Sequence, residues 1–143
     1  TDQVYVIDEP TEQIEKVYNL KGAKGAISIA YAPEEKLLFV VSQGTDNLQI
    51  LDATDGKLKA DVKVGAGPLA VVWEPVRKLA YVANRGSDSV AVVDVNGNLV
   101  ANLPGGSYAN HVFTDGKGTV WSVNKARGLN DPQGDHISRY AAK

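Results

Sequence analysis

A unit of about 42 residues recurs in this chain, and that period limits the possible folds more than any single residue does. Pro33 recurs as Pro75, Phe39 as Tyr81, Gly44 as Gly86 and Gly25 as Gly67, each pair 42 positions apart. An octet repeats with them. Thr45-Asp46-Asn47-Leu48-Gln49-Ile50-Leu51-Asp52 stands 44 residues after Thr1-Asp2-Gln3-Val4-Tyr5-Val6-Ile7-Asp8 and 42 before Ser87-Asp88-Ser89-Val90-Ala91-Val92-Val93-Asp94. Asp135-His136-Ile137-Ser138-Arg139-Tyr140 is a weaker fourth copy. Periods of roughly 20–50 residues mark solenoids, propellers and arrays, where neighbouring units bury one another's apolar faces.

The content of the unit selects among these. Each unit holds an apolar segment (27–32, 69–74), a turn, a second strand (37–43, 79–84), a glycine-containing turn, the octet strand and a fourth strand. Leu58, Ala60, Val62 and Val64 alternate with Lys59, Asp61 and Lys63, as expected of an outer strand with one wet face. Leu37 to Val41 and Leu79 to Ala83 are apolar without alternation, which suits a strand buried on both faces. Asp55-Gly56 and Asn96-Gly97 supply tight hairpin turns before the fourth strands. No window sustains a helical period, so a helical solenoid is excluded. Four antiparallel strands in about 42 residues, buried in the middle and wet at one edge, predict an all-β chain of β-propeller blades.

With strand two reading Tyr81-Val82-Ala83-Asn84 and strand three Val90-Ala91-Val92-Val93-Asp94, the unit resembles the YVTN β-propeller repeat. The run Pro75-Val76-Arg77-Lys78-Leu79-Ala80-Tyr81-Val82, then 87–94, then Asp115-Gly116-Lys117 and Val120-Trp121-Ser122-Val123, is similar to the C-terminal blades of the YncE-like family. The resemblance covers essentially the whole chain. It implies a seven-bladed ring, a periplasmic or cell-surface location in bacteria, and a binding or scaffold role. The corresponding strands Phe39-Val40-Val41-Ser42 and Trp121-Ser122-Val123-Asn124 depart from the pattern.

The strand count is about three blades' worth. The units are 1–25 (the last two strands of a blade), 26–67 and 68–109 (full blades) and 110–143 (the first three strands of a blade). Closing a ring normally takes at least about four blades. Apolar blade faces are therefore expected at both ends, covered by the remaining blades of a longer protein or by further copies of the chain. The chain has no methionine and begins within a strand-like pattern, which points to a removed leader or a piece of something longer.

Charge and composition exclude several function classes. A net charge of -2, spread without a basic stripe, disfavours nucleic acid as the partner. The chain has no cysteine, hence no disulfide, thiolate nucleophile or cysteine metal site. No apolar run approaches the roughly 20 residues of a membrane span, so membrane insertion is not expected. No metal-ligand spacing or nucleophile motif occurs, and neither a metal nor another cofactor is expected. Asp8, Asp52 and Asp94 end their strands ahead of turns and are read as caps of turn amides. Phe39, Tyr81 and Trp121 are read as packing between blades.

The loops before strand one and between strands two and three emerge on one rim when strands alternate in direction. That rim gathers the candidate ligand-binding residues Arg85, Tyr108, Asn110, His111, Lys125, Arg127 and Asp131. Trp121 to Asp135 spans seven residues more than Tyr81 to Asp88, so the 125–134 loop is enlarged and long enough to reach over a central opening. Arg85 and Arg127 suit recognition of an anion by forked hydrogen bonds. His111 reads more readily as a packed or solvated inner-strand residue than as a ligand donor, because a lone histidine has no metal partner at recognisable spacing. The functional expectation is a non-enzymatic binding or scaffold propeller whose protein or small-molecule partner sits at this rim. The alternatives are a propeller enzyme or redox protein, with Asn110, His111, Arg85 and Asp131 at the opening, and nucleic-acid binding by Lys24, Arg85, Lys125 and Arg127.

Overall fold

The computed structural model describes residues 2–141. Thr1 of the first octet and positions 142 and 143 of the last unit lie outside the described residues. Thirteen strands among those described form four antiparallel sheets, and no helix occurs among them. The first sheet pairs β1 (Gln3–Asp8) with β2 (Gln13–Asn19). The second holds β3 (Ala26–Ala32), β4 (Leu37–Ser42), β5 (Asn47–Asp52) and β6 (Leu58–Lys63). The third repeats it with β7 (Pro68–Glu74), β8 (Leu79–Asn84), β9 (Ser89–Asp94) and β10 (Leu99–Pro104). The fourth holds β11 (Ala109–Thr114), β12 (Thr119–Asn124) and β13 (Ile137–Ala141). In each sheet chain order is spatial order, and neighbouring antiparallel strands are joined by short turns except β12 and β13, which the longer 125–136 loop connects.

The turns follow from local chemistry. The carboxylate of Asp94 accepts the amides of Asn96 and Asn98, both at 2.9 Å, and Asp52 accepts the amide of Thr54 at 2.9 Å. Asp8 does the same for Thr11 at 3.2 Å. These are the turn caps that the repeated aspartates predict. Gly56 and Gly97 have φ of +72° and +85°. A β-carbon at Gly56 would stand 2.2 Å from the Tyr18 ring, and one at Gly97 2.5 Å from the Ala60 methyl. The glycines therefore serve the left-handed turn and let each hairpin press on the fourth strand of the preceding sheet.

Burial explains which strands alternate. Phe39 to Ser42 of β4 and Ala80 to Asn84 of β8 are buried at every position because sheets lie on both sides of them. In β6 Val62 is buried while Lys59, Asp61 and Lys63 are exposed. The main core lies between the second and third sheets, where Phe39, Val41, Leu48 and Ile50 meet Val71, Trp73, Ala80 and Val82. The Phe39 and Trp73 rings stack with centroids 5.1 Å apart and planes 16° from parallel. Tyr81, Val90 and Val92 repeat the contact against Val120 and Val112 of the fourth sheet. On the other side Leu38, Val40 and Leu51 meet Leu20 and Val4.

The two ends of this stack are open among the described residues. Ile29 and Tyr31 are 47% and 54% exposed, whereas Val71 and Trp73, 42 positions later, are 5% and 7% exposed. Trp73 is covered by the inner strands of the second sheet, and the first sheet has no such inner pair among the described residues. A groove of about 370 Å³ lies there, lined by Gln3, Val4, Tyr5, Ile27, Ile29 and Val40. At the far end Phe113 and Ile137 are 65% and 70% exposed. Trp121 leans on Phe113 with ring centroids 6.0 Å apart, on the face that corresponds to the buried face of Tyr81.

Candidate functional site

The loops before each first strand and those joining strands two and three are hydrogen-bonded to each other, so they form one rim. The amide of Gly44 donates to the Lys24 carbonyl at 2.9 Å, that of Gly86 to Ala66 at 2.8 Å, and that of Lys125 to Ser107 at 3.0 Å. A second device ties each rim turn to the next sheet. Asp2 accepts the amide of Ala26 at 2.9 Å, Asp46 that of Gly67 at 2.8 Å and Asp88 that of Tyr108 at 2.8 Å. Asp46, Asp88 and Asp135 all have φ between 52° and 55°, a conformation that aspartate tolerates better than most residues.

Tyr108 is the centre of the rim between the third and fourth sheets. The Arg85 guanidinium carbon lies 4.7 Å from its ring centroid and that of Arg127 4.9 Å, so two cations share one phenol ring. Arg127 also pairs with Asp88, the carboxylate that accepts the Tyr108 amide. Burial raises the Asp88 pKa, but the Arg127 hydrogen bond, the Tyr108 amide and the Arg127 charge outweigh it, and the carboxyl is held below the usual carboxylate range. Arg127 is held correspondingly upward by its bond to Asp88.

The enlarged loop is pinned to this centre. The Asp131 carboxylate accepts the amides of Arg127 at 2.9 Å and Gln133 at 3.0 Å, and those bonds hold its pKa below the usual range. Asp135 accepts the amide of Ala126 at 3.1 Å, and the Ser107 amide donates to the Gln133 carbonyl at 3.2 Å. The Asn124 side-chain amide also donates to Gln133. Apart from its own flanks at Asn124 and Asp135, the loop thus contacts Asp88 of the β8–β9 turn and 107–108 of the turn before β11.

Of the residues singled out by sequence, Arg85, Tyr108, Arg127 and Asp131 meet here, and the Lys125 amide reaches the Tyr108 carbonyl at 3.3 Å. Asn110 and His111 lie in β11 at a bulge, with His111 exposed and paired across the sheet with Val123. No hydrogen bond joins either side chain to the Tyr108 cluster among the described residues, nor do three or more histidine, aspartate or glutamate side chains converge on a possible metal position there. Asp88 is the site residue that sequence reasoning passed over. Its signal was present, because aspartate holds the same octet position at 2, 46, 88 and 135.

No family model matches this sequence, and no curated protein matches it. Among solved structures, the chain is similar to Kuenenia stuttgartiensis hydrazine synthase, with a TM-score of 0.84 and 18% identity. The likeness covers 97% of this chain and 40% of that one. The chain is a run of β-propeller blades. At that identity the likeness concerns the fold alone, and propeller blades carry many unrelated functions on the same frame. Blade geometry explains why Arg85, from a turn between strands two and three, meets Tyr108, from the entry to the next blade.

Proposed function

We propose that this chain belongs to a non-enzymatic binding or scaffold propeller of the bacterial cell envelope, related to the YVTN-repeat, YncE-like proteins, with its ligand or partner bound at the loop rim around Tyr108. The single observation that carries the reading is the placing of Arg85 and Arg127 on one tyrosine ring at the junction of two blades. Loops held by a rigid scaffold are where binding residues concentrate, and this is the rim where one loop is enlarged. The envelope location and the family rest on the residues of strands two and three given above. The remaining surface of the ring comes from further blades or from copies of the chain, which would cover Ile29, Tyr31 and Phe113.

The reading is tested by mapping amide NMR shifts while the 143-residue chain is titrated with a mixed library of small acids, bases, neutral sugars and short peptides. Ligands of this rim move the resonances of 85–88, 107–108 and 125–133 and leave the outer strands β6 and β10 still. A library in which no member moves these resonances overturns it.

A further inference from the structure

We infer that the Arg85, Tyr108 and Arg127 cluster is an oxyanion subsite, taking a ligand through a carboxylate or phosphate group; the inference rests on the rim reading above and adds the chemistry of the ligand. It follows from an inventory of donors and acceptors. Both oxygens of Asp88 are engaged, one by the Tyr108 amide and one by Arg127. Both oxygens of Asp131 accept loop amides, and Asp135 accepts the Ala126 amide. The carboxylates of the rim are therefore occupied in shaping the loop.

The donors are not. Arg85 is exposed, and among the described residues it makes no ion pair and no side-chain hydrogen bond. Its guanidinium is held over Tyr108 with five N–H groups available. Lys125 is likewise exposed and without an ion pair among the described residues. A guanidinium already positioned on an aromatic ring loses less freedom when it forks onto a planar oxyanion, and such bonds are stronger than neutral ones.

Magnitudes separate this from a polyanion surface. Arg85, Lys125 and Arg127 are balanced by Asp88, Asp131 and Asp135, so the rim has no net positive field to steer nucleic acid. Recognition is short-range. In an exposed site a lone oxyanion group is held weakly, with a dissociation constant on the order of 1 mM, and a larger ligand adds contacts beyond it.

The test titrates the full chain with inorganic phosphate and, separately, with succinate, following the Tyr108 ring and the arginine Nε–H resonances, with chloride at matched ionic strength as the control. Saturable shifts with phosphate or succinate and none with chloride are expected. Saturation by phosphate alone assigns a phosphate ester, and by succinate alone a carboxylate ligand. Arg85→Gln weakens the response at least about 10-fold, since an arginine fork contributes more than a single neutral bond, while Lys59→Gln on the outer strand leaves it unchanged. An unaltered circular dichroism spectrum shows that Arg85→Gln remains folded. Neither anion acting, or an undiminished response in Arg85→Gln, overturns the inference. If uncharged or basic library members still move the same resonances in that event, the rim reading stands and only the oxyanion chemistry fails.

Discussion

At the scale of single residues, one aspartate does two jobs at the junction of blades. Asp88 accepts the Tyr108 amide, which is a structural role shared with Asp2 and Asp46, and it pairs with Arg127, which those do not. Its carboxyl is held below the usual carboxylate range, so the ionised form is favoured in the folded chain. A group with a depressed folded pKa contributes stability that is fully present above its unfolded value of about 3.9 and is lost as pH falls through the lower folded value. In a carboxyl-detected NMR titration Asp88 is expected to protonate below an unfolded aspartate. In Arg127→Gln its midpoint moves up, because the hydrogen bond and the charge of Arg127 are removed together. An unmoved midpoint would show that Arg127 does not hold the carboxylate.

At the scale of elements, the blades are joined at both rims. On the rim opposite Tyr108, fully buried Glu74 at the end of β7 accepts the amides of Val76 at 3.1 Å, Arg77 at 2.8 Å and Gly118 at 3.0 Å. Arg77 in turn pairs with Glu74 and donates to the Gly118 carbonyl, so the β11–β12 turn is fastened to the third sheet from both sides. Glu74→Ala leaves these amides without their acceptor and is expected to cost about 1–3 kcal/mol. The urea midpoint should fall accordingly, and an unchanged midpoint would mean that the turn finds other partners. That clasp was not legible in the sequence. Pro75 marked the turn by its repeat, but position 74 is glutamate in one unit and Ala32 in the other, so periodicity offered no reason to bury a carboxylate there.

At the scale of the whole molecule, the consequence is exposed apolar surface at both ends. Ile29 and Tyr31 at one end and Phe113 and Ile137 at the other hold positions on blade faces that are covered where a neighbour is present. The 143-residue chain alone is expected to associate with rising concentration in light scattering, and the double change Tyr31→Ser with Phe113→Ser to reduce it. A monodisperse monomer that binds no apolar dye would contradict this. Much of the architecture was legible beforehand, because thirteen strands in blades follow from a 42-residue period, from alternation in the outer strands and its absence in the middle ones. These are local or repeating constraints, and a repeat writes them several times over. The Tyr108 cluster was legible only as a collection of rim residues. Its members come from positions 85, 88, 108, 127 and 131, and which of them touch depends on how one blade is set against the next. The sequence by itself determined the blade, since strand periodicity and turn chemistry act within about 42 residues. Only the tertiary structure decided that Arg85 and Arg127 share Tyr108 while His111 stands apart, because that choice depends on packing between blades at positions such as 85 and 127 that the repeat does not share.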